Sequence, residues 1–354
     1  MSKPAWSQPP TILIWGAGAI GGTLGACWAR AGLPVLMVDI VAEHAAACST
    51  TGLNITGPVE AFRQIVPCVT PPELTGTYDI IVLAVKAQAT EAALVQLLPH
   101  LSADGYVLSA QNGLNEIAIF RAVGHERTMG CFVNFGADWL GPGEILLGNR
   151  AAVVVGEIDG ELRERTHQMH AWLQIFEPDA VLTDNIWGYL WGKLAYGAML
   201  FATALTPDSM SANFDDPQRF VVFDRLAREV MAVATARGVA TVGFNGFDPA
   251  CFAPGAPMDG ARASIAALAD FNRHGAKTHS GIHRDLAVRK RKTEIDPQIG
   301  IIAELGAEAG VHTPAIRHLV ALIHDIEDGR EPMSASTFGK LIATAEAANH
   351  AHPL

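Results

Sequence analysis

A chain of 354 residues exceeds what one hydrophobic core usually serves, so two domains are expected. A formal net charge of −11 argues against a protein that grips nucleic-acid phosphates, and 49% apolar against 17% charged residues excludes a disordered chain. Five cysteines (Cys27, Cys48, Cys68, Cys131 and Cys251) are odd in number and form no C-x-x-C pair, so neither a disulfide framework nor a thiolate zinc site is suggested and a reducing cytosol fits.

Residues 1–10, "MSKPAWSQPP", read as a Pro-rich leader without the apolar core of a secretion signal. The most apolar later stretch, "LAYGAMLFATAL", is too short to span a bilayer. A soluble cytoplasmic protein with no membrane partner is expected.

Residues 11–183 read as a dinucleotide-binding Rossmann domain. The segment "TILIWGAGAIGGTLGACWARAGLPVLMVDI" gives strand, turn, helix and strand, with Gly16, Gly18 and Gly21 completing G-x-G-x-x-G at the turn. With Ala19 and Ile20 these residues open a helix, whose free N–H groups and dipole favour a pyrophosphate. Asp39 closes the second strand, where a carboxylate accepts from the adenosine ribose hydroxyls and repels a 2′-phosphate, so NAD is expected over NADP. An ordinary strand-end aspartate fits the same position. Arg30 precedes the turn and is poorly placed to clamp a phosphate.

"YDIIVLAVKAQATEAALVQLLPHL" and "GYVLSAQNGLNEIAIF" each repeat strand then helix, which implies a doubly wound parallel sheet with ligands beyond its carboxyl edge. Lys86 and Asn112 fall just past two of these strands and are expected at the nicotinamide end, Asn112 counting also with the catalytic set. A solvated loop lysine and a plain Asn-Gly turn fit equally well. The stretch from Met129 to Glu157 reads as extended segments completing the sheet.

From residue 184 to 354 the apolar spacing turns helical, giving a second, mostly helical domain. "GFNGFDPACFAPGAPMDG" reads as a loop, and roughly Ala261 to Lys292 as one long helix lining the cleft. His279 and His283 are then one helical turn apart. Lacking a third ligand at fixed spacing, they suit pocket-lining imidazoles better than a metal site, so no metal is expected.

The ordered blocks "GAGAIG", "VLAVKAQ", "QNGLNE", "LWGKLAYGAMLFATALT" and "KRKTEID", followed by "GVHTPA", make the chain similar to the ketopantoate reductase (2-dehydropantoate 2-reductase) family over nearly its whole length. That resemblance implies Lys193, in the W-x-K block, as catalytic acid/base, Glu294 as its assistant and substrate contact, and a homodimer through the helical domain. It also implies that the basic run Arg289 to Lys292 is the solvated end of a helix delivering Glu294. Family members place asparagines four and eight residues after the lysine to bind ketopantoate, and here those substrate positions are Gly197 and Phe201. Ser280 matches a family serine that contacts substrate. The expected function is therefore an NAD-dependent oxidoreductase that interconverts a hydroxyl and a carbonyl of a small molecule by hydride transfer, oxidising a substrate other than pantoate. An authentic 2-dehydropantoate 2-reductase, or a nicotinamide-binding regulator without turnover, are the alternatives.

Overall fold

The computed structural model describes residues 10–274, 278–351 and 354, so the leader lies almost wholly outside the described residues. Two compact units make up the chain, the first running to Ile186 and the second from Trp187.

In the first unit, β1 (Ile12–Trp15), α1 (Ala19–Arg30), β2 (Val35–Val38) and α2 (Ala42–Thr50) are followed by β3 (Leu53–Thr56), β4 (Phe62–Gln64) and β5 (Cys68–Val69). Then come β6 (Tyr78–Leu83), α3 (Thr90–Leu97), β7 (Leu101–Ser109), α4 (Glu116–Val123) and β8 (Thr128–Val133). The unit closes with β9 (Gly136–Gly141), β10 (Glu144–Asn149), β11 (Val153–Glu157), α5 (Glu164–Phe176) and β12 (Val181–Leu182). The main sheet has the order β12-β11-β8-β7-β6-β1-β2-β5. Every residue of β1 is buried: Ile12 and Ile14 join the core on one face, Leu13 and Trp15 the core on the other. That double burial is why the strand reads as an unbroken apolar run and not as an alternating one. The chain order reverses at β1 and β6, the switch point beyond which ligands bind in open α/β sheets.

Two expectations for this unit need correction. The main sheet is not purely parallel, because β11 pairs antiparallel with β8. Nor do β9 and β10 complete it. They form a separate four-stranded sheet with β3 and β4, in the order β4-β3-β10-β9, and this sheet rests on α1, where a Cβ at Gly22 would stand 2.7 Å from Ile145 and 3.1 Å from Leu53. Extended spacing reveals a strand but not the partner it will pair with.

The second unit consists of α6 (Ile186–Thr203, whose first residue belongs to the first unit), α7 (Met210–Asp215), α8 (Phe220–Ala236), α9 (Met258–His274), α10 (Gly281–His283), α11 (Ile301–Glu308), α12 (Pro314–Glu327) and α13 (Ala335–Ala351). In α8 the fully buried Arg225 and Glu229 pair at 2.9 Å. The same Glu229 carboxylate accepts from the backbone N–H groups of Ala315 (3.1 Å) and Ile316 (2.9 Å), capping α12 from a neighbouring helix. No helix among the described residues is long and apolar enough to cross a membrane.

The expected long helix from Ala261 to Lys292 is not one element. Helix α9 ends at His274, and Ser280 restarts the chain as the N-cap of α10, its hydroxyl accepting from the His283 N–H at 3.1 Å. A π-helical turn over Arg284–Val288 follows, and a second over Asp296–Gly300 leads into α11. Such turns are rare and are often found at functional sites.

Candidate active site

The glycine-rich turn is shaped by steric necessity. Gly16 has φ +103°, and a Cβ on Gly21 would stand 2.0 Å from the Gly16 carbonyl oxygen. Gly18 differs: a Cβ there would meet nothing within 4 Å. No side chain caps the N-terminus of α1, and no acidic residue stands in its first turn. An uncapped helix start with open space at Gly18 is a place that could hold an anion such as a pyrophosphate, for which Gly18, Ala19 and Ile20 would be the donors.

Asp39 follows β2 and faces this turn. Its Oδ2 accepts from the Ala17 N–H (3.0 Å) and its Oδ1 from the Val41 N–H (2.9 Å), so the carboxylate both orders the loop and keeps lone pairs for a diol. Arg30 is held by Glu60 at 2.7 Å and lies over the Phe62 ring.

Beyond β6 and β7, a network that the sequence did not reveal ties together the loops carrying Lys86 and Asn112. The Gln111 amide donates to the Val85 carbonyl (2.9 Å) and to the Thr90 hydroxyl (2.8 Å). That hydroxyl donates to Asn115 Oδ1 (2.9 Å), and the Asn115 amide donates to the Asn112 carbonyl (2.7 Å). Lys86 is exposed and Asn112 half-buried. Glu116, opening α4, is fully buried, and desolvation pushes its carboxyl up to about 8.

In the helical unit Lys193 lies mid-way along α6, half-buried. One turn on, burial raises the Tyr196 hydroxyl above its ordinary pKa against an opposing hydrogen bond with Asn272. Gly197 has room beside it: a Cβ would meet only Ile299, at 4.0 Å. Phe201, one turn further, is 1% exposed and carries no polar atom.

Glu294 is buried and lies between the two π-helical turns. Thr293 fixes its approach, donating from both its N–H and its hydroxyl to Glu327 of α12, each at 2.7 Å. The basic run is solvated, but it is an irregular link and not a helix end. Arg289 and Arg291 turn back to Asp285 at 3.2 and 2.9 Å, and Lys290 sits at φ 47°.

The rings of His279 and His283 lie with centroids 4.2 Å apart and tilted by 37°, although His279 precedes the helix cap and the pair is not one helical turn. His279 has both nitrogens engaged, with Thr278 and the Pro207 carbonyl. Burial and the neighbouring imidazole lower the pKa of His283. Ser280 is buried as the α10 cap.

Two family profiles match this chain: "Ketopantoate reductase PanE/ApbA" over residues 12–160 and "Ketopantoate reductase PanE/ApbA C terminal" over residues 185–327. The chain belongs to the ketopantoate reductase family. It is accordingly an NAD(P)-dependent oxidoreductase acting on CH–OH groups. A 2-dehydropantoate 2-reductase of Mesorhizobium japonicum is 28% identical, the match covering 88% of this chain and 96% of that one. Another from Archaeoglobus fulgidus is 26% identical, covering 90% and 98%. Among solved structures, a PanE/ApbA family ketopantoate reductase from Ralstonia eutropha has a TM-score of 0.75 at 26% identity, over 90% of this chain and 99% of that one. The ternary structure of a D-mandelate dehydrogenase with NADH and anilino(oxo)acetate shares the fold, with a TM-score of 0.77 at 23% identity over 90% and 98%.

Proposed function

We propose that this family member is an NAD-preferring dehydrogenase that oxidises a hydroxy acid or alcohol other than pantoate. The observation that carries this reading is the space beside Gly197. Among the described residues a Cβ at Gly197 would meet nothing nearer than the apolar Ile299, at 4.0 Å, and one turn further the buried Phe201 offers no amide. A polyhydroxy acid in such a site would lose hydrogen-bond partners, whereas a bulkier or less polar one would gain contact. The D-mandelate dehydrogenase, named for an aromatic hydroxy acid, has the same fold.

In this reading the nicotinamide accepts or supplies the hydride. Lys193 holds or gives the proton at the substrate oxygen, and its ammonium stabilises the charge that develops there, general acid–base catalysis contributing about 10² to 10⁴ in rate. Glu294 favours the charged lysine and contacts substrate. Asn112 and Lys86 line the cofactor's reactive end, held by the Gln111 network. His279, His283 and Ser280 border the substrate region. The carboxylate of Asp39 would repel a 2′-phosphate, and Arg30, occupied by Glu60, offers none a counter-charge.

The second reading, an authentic 2-dehydropantoate 2-reductase, is favoured by the names of the curated relatives. Assays with ketopantoate and with a panel of hydroxy acids, each with NAD(H) and NADP(H), separate the two. Turnover of an aromatic or branched hydroxy acid with NAD well above ketopantoate reduction is expected, and efficient ketopantoate reduction overturns the proposal. A homodimer is proposed alongside, as for the dimeric ketopantoate reductase from Staphylococcus aureus, and light scattering tests it.

A further inference from the structure

The peptide groups of the glycine-rich turn are gripped from both sides by the segment that follows β2. The Ala17 N–H is held by Asp39, and the Ala17 carbonyl oxygen lies 2.8 Å from Nε2 of His44, a side chain only 1% exposed in α2. The other ring nitrogen, Nδ1, faces the backbone N–H of Gly143 at 2.9 Å and the indole N–H of Trp139 at 3.3 Å. Both of these groups are donors only, so Nδ1 is the acceptor and the ring hydrogen sits on Nε2, as the Ala17 carbonyl requires. The thiol of Cys48 lies alongside, 3.7 Å from Nε2.

The carbonyl of Ala17 and the N–H of Gly18 belong to one planar trans peptide and point in opposite directions. Whatever fixes the first aims the second. Gly18 is the residue whose missing side chain leaves open space at the start of α1. Were this peptide to rotate, it would present a carbonyl oxygen to the anionic pyrophosphate in place of a donor.

We propose that His44, as the neutral Nε2–H tautomer, is a positioning residue for the dinucleotide seat: it locks the Ala17–Gly18 peptide and is itself anchored on the β9–β10 hairpin. The small second sheet thereby acquires a role in cofactor binding, through Trp139 of β9 and Gly143 of the hairpin turn, both of which meet His44. The inference rests on the glycine-rich turn being that seat.

Three variants separate positioning from plain support of the fold. His44→Gln sets an amide nitrogen near Nε2 and keeps a donor for Ala17. His44→Asn sets an oxygen near Nδ1 and keeps only the acceptor for Gly143, and His44→Leu keeps neither. In fluorescence titrations of the full chain with NADH, the Asn and Leu variants should bind about tenfold more weakly and the Gln variant within about threefold of the unaltered protein, the scale of one buried hydrogen bond. The KM for the cofactor should rise in parallel, with kcat at saturating cofactor changed less. Equal weakening by Gln and Asn, or an unchanged Leu variant, overturns the proposal. If the Leu variant does not fold, the near-isosteric Gln and Asn pair decides alone. Failure of the unaltered protein to bind either NADH or NADPH would remove the dinucleotide seat itself, whereas binding that all variants preserve would remove only the role of His44.

Discussion

At Gly21 in the nucleotide turn the absence of a side chain is forced, whereas at Gly197 in α6 the chain leaves room. A Cβ at Gly21 would collide with the Gly16 carbonyl at 2.0 Å, but one at Gly197 would meet its only near neighbour at 4.0 Å. Asp39 holds the turn through one oxygen and its own following segment through the other, while the position two turns beyond Lys193 is a buried phenylalanine with no polar atom to offer. The contrast has a physical basis. A pyrophosphate is recognised by backbone N–H groups, so the loop that binds it tolerates little change in shape. A substrate is read by side chains, and a pocket lined by side chains can be altered one residue at a time without refolding its helix.

The largest effect expected on this contrast comes from the helical unit. Lys193→Ala should lower turnover on the order of a hundredfold or more while NADH binding survives, because the proposed role of the lysine is at the reacting oxygen. Near-native activity in that variant would remove Lys193 from the chemistry. Next, Asp39→Ala should weaken NAD binding about tenfold and narrow the preference over NADP. Since Asp39 also holds the Ala17 N–H, NADP affinity should not rise to match, and an outright reversal of preference would show that the carboxylate serves only to reject the 2′-phosphate.

How much of this was readable beforehand depends on the reach of each interaction. Gly16, Gly18, Gly21 and Asp39 are local to one strand-turn-helix-strand, and their spacing alone was enough to expect that local fold. His44 was invisible because its partners lie 27 residues upstream and 95 and 99 residues downstream, and a histidine on a helix carries no mark of them. The Gln111–Thr90–Asn115 network bridges 21 and 25 residues for the same reason, even though two of its members stand inside the quoted "QNGLNE". The break before Ser280 was missed because charged residues on both sides continue a helical rhythm. Its signal was the serine directly before Gly281, a cap that composition conceals.

A smaller test sharpens the permissive side. Gly197→Asn fills a space that the fold leaves open, so the variant should keep its melting temperature and gain severalfold in ketopantoate reduction, one added hydrogen bond being worth about 1 kcal/mol. Loss of folding would show that the space is not available.

A change read in stability and not in activity concerns Glu116. Its carboxyl, raised by burial to about 8 from an ordinary 4.5, keeps its proton in the folded protein after the unfolded chain has released it. Stability should therefore fall as pH rises between these values, by at most about 1.4 kcal/mol per pH unit, and level off above 8. Glu116→Gln should flatten that slope and melt a few degrees higher than the unaltered protein near pH 8. Parallel stability curves for the two proteins would place the carboxylate in a solvated environment instead.

The buried carboxylate of Glu229 has a consequence for how the helical unit opens. The first two free amides of α12 find their acceptor 86 and 87 residues earlier in the chain, so that end cannot fray while α8 stays in place. Hydrogen exchange at Ala315 and Ile316 then reports separation of whole helices and not local breathing, making these two amides sentinels for the cooperative opening of the helical unit.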